Sequence, residues 1–126
     1  MIKDRCIVAY GFNDDEIKKL KIYVTGVKEV SNNMLDLKIK DIIKGETEGN
    51  YVDEPFNEKV VLFNSYPDNE VRSAVKKLRE VFPGIILAMV TPLSINWSFK
   101  YLMSHLLQEK EMEKNNMNGR EELWVE

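Results

Sequence analysis

The chain has 126 residues, of which 44% are hydrophobic and 31% are charged, and its formal net charge is −3. This balance predicts one ordinary globular domain rather than a disordered or fibrous protein. No apolar run approaches the roughly 18 residues that a membrane span needs, and the basic residues are interleaved with acidic ones, which argues against nucleic-acid binding. With Cys6 as the single cysteine, we expect a cytoplasmic protein with no membrane or nucleic-acid partner.

The chain begins with the pattern of a strand followed by a helix. Residues 5–10 form a short apolar run, and Gly11-Phe12-Asn13 turns the chain into a helix predicted over residues 14–24. Asn13 followed by Glu16 is a capping-box pattern, and acidic residues occupy the first turn, where the helix dipole favours them.

A second strand and a second helix complete the first half, residues 1–44. Gly26 is expected to end the first helix, and residues 27–30 are expected to form a brief strand. Apolar residues from Met34 to Ile43 fall near helical spacing, which favours a helix that Gly45 closes. The alternation of Leu35, Leu37 and Ile39 also permits a strand.

The second half, residues 59–107, follows a linking loop at residues 45–58 that is rich in Gly, Asn and acidic residues. Residues 59–64 have the apolar run of a buried strand. Pro67 opens a helix that continues to residue 81, and Pro83-Gly84 ends it. A fourth strand is predicted from Ile85 to Val90, and a fourth helix from about residue 94.

Residues 108–126 predict a charged helical extension or tail, with three basic and six acidic residues. Its one apolar patch is Leu123-Trp124-Val125. This patch is our candidate for self-association or for contact with a protein partner.

The two halves resemble each other. Residues 7–17 align without a gap on residues 61–71, always 54 positions later, and residues 31–34 more weakly resemble residues 94–97. These similarities suggest a βαβα unit used twice, although any strand followed by a capped helix has a similar pattern. Because a βαβ crossover makes its two strands parallel, we expect an α/β fold with a mainly parallel four-stranded sheet covered by helices.

Catalytic and cofactor motifs are not evident. His105 is the only histidine, and neither a dinucleotide-binding GxGxxG nor a P-loop is present. The carboxylates Glu109, Glu111 and Glu113 lie at spacings of two, which distributes them around a helix and does not favour a metal site. We therefore expect no catalytic residues, no metal and no cofactor.

The corner after the fourth strand is the best candidate site. In an open α/β sheet, ligands bind where the carboxyl end of a strand meets a helix N-terminus. Thr91, Ser94, Asn96 and Trp97 lie at this corner. Helix capping and burial of Trp97 explain these residues without a ligand. The alternative is a ligand or partner held by Asn96 and free backbone N–H groups.

The Thr-Pro corner with its following Asn-Trp, and the Leu-rich helix that runs into Glu109, resemble the bacterial domain of unknown function family 3783. The resemblance covers roughly Val60 to Glu111. It implies a small cytosolic bacterial protein, and it carries no assigned activity, cofactor or catalytic residue.

The sequence thus favours a non-enzymatic interaction or regulatory module. A small-molecule or nucleotide-binding domain that uses the Thr91 to Trp97 corner is the alternative. An enzyme would need polar groups from the 45–58 loop to complete a site over that corner.

Overall fold

A computed structural model describes the backbone of residues 5–49 and 58–116, and the side chains of these residues as far as residue 110. The strands are β1 (Cys6–Tyr10), β2 (Val27–Val30), β3 (Val60–Asn64) and β4 (Ile86–Met89). The α-helices are α1 (Asp14–Tyr23), α2 (Ile39–Lys44), α3 (Asp68–Val81) and α4 (Phe99–Asn116). Short 3₁₀ helices at Asn32–Met34 and Ser94–Asn96 precede α2 and α4.

The capping box predicted for the first helix is present. The Asn13 side-chain oxygen accepts a hydrogen bond from the Glu16 N–H at 2.8 Å. The Glu16 carboxylate accepts one from the Asn13 N–H at 3.0 Å. Two of the amide donors that a helix leaves without an intrahelical partner are thereby satisfied. This local pattern is sufficient to set where α1 begins.

The helix predicted from Met34 to Ile43 is shorter than expected, because α2 begins only at Ile39. Lys38 is extended and forms an isolated antiparallel bridge with Ser98. The Ile39 N–H donates to the Trp97 carbonyl and the Phe99 N–H donates to the Leu37 carbonyl, both at 2.9 Å. The backbone around Lys38 is used for pairing with the second half, and an extended backbone there excludes a continuous helix.

The four strands form one mixed sheet in the order β2-β1-β3-β4, so the expectation of a mainly parallel sheet was wrong. β1 pairs in parallel with β2, and β3 pairs in parallel with β4. The central pair, β1 and β3, is antiparallel, with Val8 opposite Leu62. A helical crossover makes the two strands of each half parallel. The connection from β2 to β3 includes α2 and a further stretch of chain, residues 45–59, so it leaves the second half free to enter in the opposite direction.

Helices cover both faces of the sheet. α2 and α4 pack on one face, where Phe99 and Leu102 contact the same buried cluster as Val8 and Leu62. α1 and α3 pack on the other face, with Leu20 and Leu78 in that cluster. All residues of β1 and β3 are buried. Burial on both faces explains why these strands are continuous apolar runs rather than alternating patterns.

The fourth helix extends to Asn116, and the division of the chain at residue 108 stays a prediction. Within residues 5–49 and 58–116, no helix has the length and apolarity that crossing a bilayer demands. The Leu123-Trp124-Val125 patch lies outside the described residues, so its role in association stays a prediction.

Candidate functional site

Thr91 and Ser94, two of the predicted site residues, bind each other at the corner after β4. The Thr91 N–H donates to the Ser94 hydroxyl at 2.9 Å, and the Ser94 N–H donates to the Thr91 hydroxyl at 2.9 Å. The Thr91 hydroxyl also donates to the Ser94 hydroxyl at 3.1 Å. Ser94 is only 5% exposed. Both hydroxyls therefore hold the turn that leads from the sheet to α4.

Asn96 and the cap of α4 differ from the expectation. Asn96 is exposed, and its side-chain amide lies 3.5 Å from the Pro92 carbonyl oxygen, at the limit of a hydrogen bond. The Ser98 hydroxyl accepts the Tyr101 N–H at 3.1 Å and caps the first turn of α4. The sequence pattern suggested Thr91, Ser94 and Asn96 as caps and not Ser98, because it predicted a fourth helix that begins too early.

Trp97 belongs to an aromatic cluster on the outer side of α4. Its indole stacks with the His105 imidazole at a centroid distance of 5.1 Å and an angle of 16°. The Tyr101 ring meets the indole edge-on at 4.8 Å. Trp97 is half-buried and Tyr101 is 51% exposed. Trp97 packs against the core cluster beneath α2 and α4, whereas the Tyr101 ring presents aromatic surface to solvent.

A groove of about 320 Å³ lies between this cluster, the end of β4 and α4. We call it the Trp97 groove. Its apolar walls come from Met89, Leu93, Trp97, Leu102 and Leu106. Thr91 and Ser94 also line it, whereas Asn96 does not. The volume falls at the lower end of the range for ligand pockets, which is about 300 to 1,000 Å³.

Two polar residues of the groove were not proposed from the sequence. His105 and Glu109 line it, although the sequence pattern assigned neither residue to a binding site. A usable signal existed, because Trp97, Tyr101, His105 and Glu109 follow each other at intervals of four. Residues four apart lie on the same side of a helix.

Among the described residues, the chemistry available in the Trp97 groove is that of an apolar cleft with one carboxylate, Glu109, and one imidazole, His105. In the part of the chain that the structure describes, no group of three or more His, Cys, Asp or Glu residues is arranged to hold a metal ion. Apolar walls with a few polar groups are the usual composition of a binding cleft.

A second groove, also about 320 Å³, lies on the opposite face of the sheet beside Tyr66. The Arg5 guanidinium lies 4.3 Å from the centroid of the Tyr66 ring and forms an ion pair with Glu70. A corresponding ion pair, 3.2 Å long, joins Lys59 to Glu16. In each pair, a residue at the start of a central strand binds a glutamate in the first turn of the other half's helix. This recurrence favours a structural role for Arg5 and Glu70, and the Trp97 groove is the stronger candidate.

Comparison with known proteins gives a match for the second half of the chain. No curated protein and no solved structure matches. The family model that matches is described as a Domain of unknown function (DUF3783). The match spans residues 59–112, from the start of β3 into α4, and it includes the corner and every lining residue of the Trp97 groove named above. Over these residues the chain is similar to a family whose description assigns no activity, as the sequence resemblance implied.

Proposed function

We propose that the protein is a non-enzymatic interaction module and that its binding surface is the Trp97 groove. The observation that carries this proposal is the exposure of large apolar side chains beside a formed cleft. Leu93 is 66% exposed and Tyr101 is 51% exposed. Apolar surface left in water forgoes about 25 cal/mol per Å² of stabilisation. Its concentration around a concavity is typical of a surface that a partner covers.

The polar groups of the groove support a binding role over a catalytic one. The hydroxyls of Thr91 and Ser94 are engaged with each other and with each other's N–H groups. Activation of a hydroxyl nucleophile requires a neighbouring base within hydrogen-bond reach. His105, the one histidine, instead stacks on the indole of Trp97.

Small-molecule binding in the same groove is the second candidate function. The volume of about 320 Å³ and the apolar walls favour it. Nucleotides are the less suited ligands, because none of the described lining residues is a lysine or arginine that would pair with a phosphate.

Leu93→Ser is the substitution that tests the interaction module. Leu93 is largely exposed, so the change leaves the core intact and removes an apolar wall of the groove. Ile22→Ser is the matched control, because Ile22 is 73% exposed on α1, which packs on the opposite face of the sheet. Thermal-shift screens of the full chain against pooled peptides and against a metabolite collection would provide the readout.

We expect peptides to raise the melting temperature of the wild type and of Ile22→Ser, and to lose this effect with Leu93→Ser. Stabilisation by metabolites alone, lost with the same variant, would favour the second candidate. If peptides stabilise Leu93→Ser as much as the wild type, the Trp97 groove is not the binding surface.

We further propose that the two halves are copies of one βαβα unit. Val8 and Leu62, which are 54 positions apart, face each other at the centre of the sheet. Lys38 and Ser98, 60 positions apart, pair at the second contact between the halves. The short 3₁₀ helices at Asn32–Met34 and Ser94–Asn96 are 62 positions apart, one position from the spacing of 63 in the weaker sequence similarity.

The proposal also includes where the protein is found. We propose a bacterial, cytoplasmic protein because of the family resemblance of the second half.

Self-association through the C-terminal patch is a separate part of the proposal. If it occurs, deletion of residues 117–126 should change the mass measured by chromatography, and an unchanged mass would contradict it.

A further inference from the structure

The charge of the Trp97 groove is one-sided. Glu109 is the one carboxylate among the described residues that line it, and no lysine or arginine lines it. Glu109 is half-buried. A partner that brings a second carboxylate to this position is repelled, whereas a partner that brings a cation is attracted.

The neighbouring cation on α4 does not neutralise this carboxylate, because it is held elsewhere. The Lys110 ammonium donates to the Gly84 carbonyl at 2.9 Å. It also pairs with Glu58 at 3.3 Å. These contacts direct Lys110 toward the turn before β4 and the start of β3. Among the residues whose side chains are described, none thus neutralises the Glu109 carboxylate, which is left for a partner.

The walls of the groove supply the second half of the preference. The Trp97 indole, which stacks with the His105 imidazole, lies in the same groove as Glu109 and adds aromatic surface beside it. The walls formed by Met89, Leu102 and Leu106 accept an apolar group. The groove therefore combines an apolar site with a site for a positive charge.

We propose that the groove binds a peptide segment of a partner protein that places an apolar side chain next to a lysine or arginine. This inference rests on the interaction function proposed above and specifies the partner. The exposed surface of Leu93 and Tyr101 favours a peptide over a metabolite, because Tyr101 lies outside the groove lining and a small ligand would leave its ring uncovered. Glu109 pairs with the basic residue, and the apolar side chain enters between β4 and α4.

Two fluorescein-labelled peptides of equal length test the preference, one alternating leucine with lysine and the other alternating leucine with glutamate. Fluorescence anisotropy with the full chain measures their affinities. We expect the lysine peptide to bind more tightly than the glutamate peptide. Glu109→Gln should weaken the affinity for the lysine peptide about threefold, as for a partly exposed ion pair. Glu109→Lys is expected to make the glutamate peptide the tighter ligand. Added salt is expected to reduce the wild-type preference for the lysine peptide. Glu80→Gln and Glu80→Lys are matched controls on exposed α3 surface at the opposite face.

The outcomes separate this inference from the function on which it rests. Suppose that the two peptides bind with equal affinity, that Leu93→Ser abolishes both interactions, and that Glu109→Lys changes neither. This result would overturn the proposal of a basic partner and leave the proposed interaction module intact. The lysine preference could also be abolished by Glu80→Lys as strongly as by Glu109→Lys. That result would show that the preference reflects only the net charge of the protein, and it would also overturn the inference. Binding of neither peptide, or binding that Leu93→Ser does not affect, would count against both proposals.

Discussion

Tyr66 shows how one side chain connects the two halves of the chain. Its phenol donates to the Thr25 carbonyl at 2.8 Å, and its oxygen accepts the Thr25 N–H at 3.2 Å. Tyr66 follows β3, whereas Thr25 precedes β2, so the bonds join the second half to the first. Because Tyr66 is only 8% exposed, water does not readily replace its hydroxyl.

Tyr66→Phe should therefore lower the free energy of unfolding by about 1 to 2 kcal/mol, since two backbone groups of Thr25 lose their partner. Tyr23→Phe is the control, because Tyr23 is 37% exposed and water solvates its phenol. Urea unfolding followed by circular dichroism measures both. Equal effects of the two substitutions would contradict this role of Tyr66.

Glu16 provides a prediction about pH. The hydrogen bond from the Asn13 backbone holds the pKa of the Glu16 carboxyl below its ordinary value of 4.5, and the nearby Lys59 lowers it further. A carboxyl with a depressed pKa in the folded state stabilises the fold above its unfolded pKa, and this contribution is lost as the pH falls through the folded pKa.

Glu16→Gln should thus cost stability at neutral pH, by at most about 1 kcal/mol for a partly exposed group. The difference from the wild type should shrink on acidification below about pH 4.5 and vanish below the folded pKa of Glu16. Urea midpoints measured across this range test it. A difference that grows as the pH falls would have the wrong sign.

Among the elements, α4 carries most of the candidate site, and its start depends on a cap that the sequence pattern did not predict. The Ser98 hydroxyl accepts the Tyr101 N–H, and the buried Phe99 and Met103 fix this helix to the sheet. Strand positions and the start of α1 were predictable because their signals lie within a few residues. The starts of α2 and α4 were not, because pairing between Lys38 and Ser98 keeps both segments extended.

Ser98→Ala should reduce the free energy of unfolding by about 1 kcal/mol through loss of the cap. Ser104→Ala is the matched control within the same helix. The Ser104 hydroxyl donates to the Lys100 carbonyl on an exposed surface, and alanine is the better helix former, so we expect no loss there. Thermal unfolding compares the two variants, and a larger cost for Ser104→Ala would refute the assignment of the cap.

At the scale of the whole molecule, the antiparallel junction of β1 and β3 makes one continuous sheet from two halves. Leu62, at the centre of this junction, is fully buried and faces Val8. Since the sheet and the cluster beneath α2 and α4 both cross the junction, the halves share one core. We expect them to unfold together.

Leu62→Ala should cost about 2 to 5 kcal/mol, as is usual for a buried leucine. Exposed Leu93→Ala, the control, should cost less than about 0.5 kcal/mol. In a Trp124→Phe background, the fluorescence of Trp97 reports the second half and circular dichroism reports both. Coincident urea transitions are expected, and two separate steps would show that the halves are independent.

The sequence by itself determined the strand positions, the capping box of α1, and the corner at Thr91 to Trp97 as a place of interest. These features depend on side-chain periodicity and on contacts between neighbours in the chain. Only the tertiary structure decided the opposite direction of β3, the late start of α2, and the assembly of Met89, Trp97 and Glu109 into one groove. An apolar run buried on both faces looks the same in either direction. A groove forms only where residues from separate elements come into contact, and a local sequence pattern does not contain information about such long-range contacts.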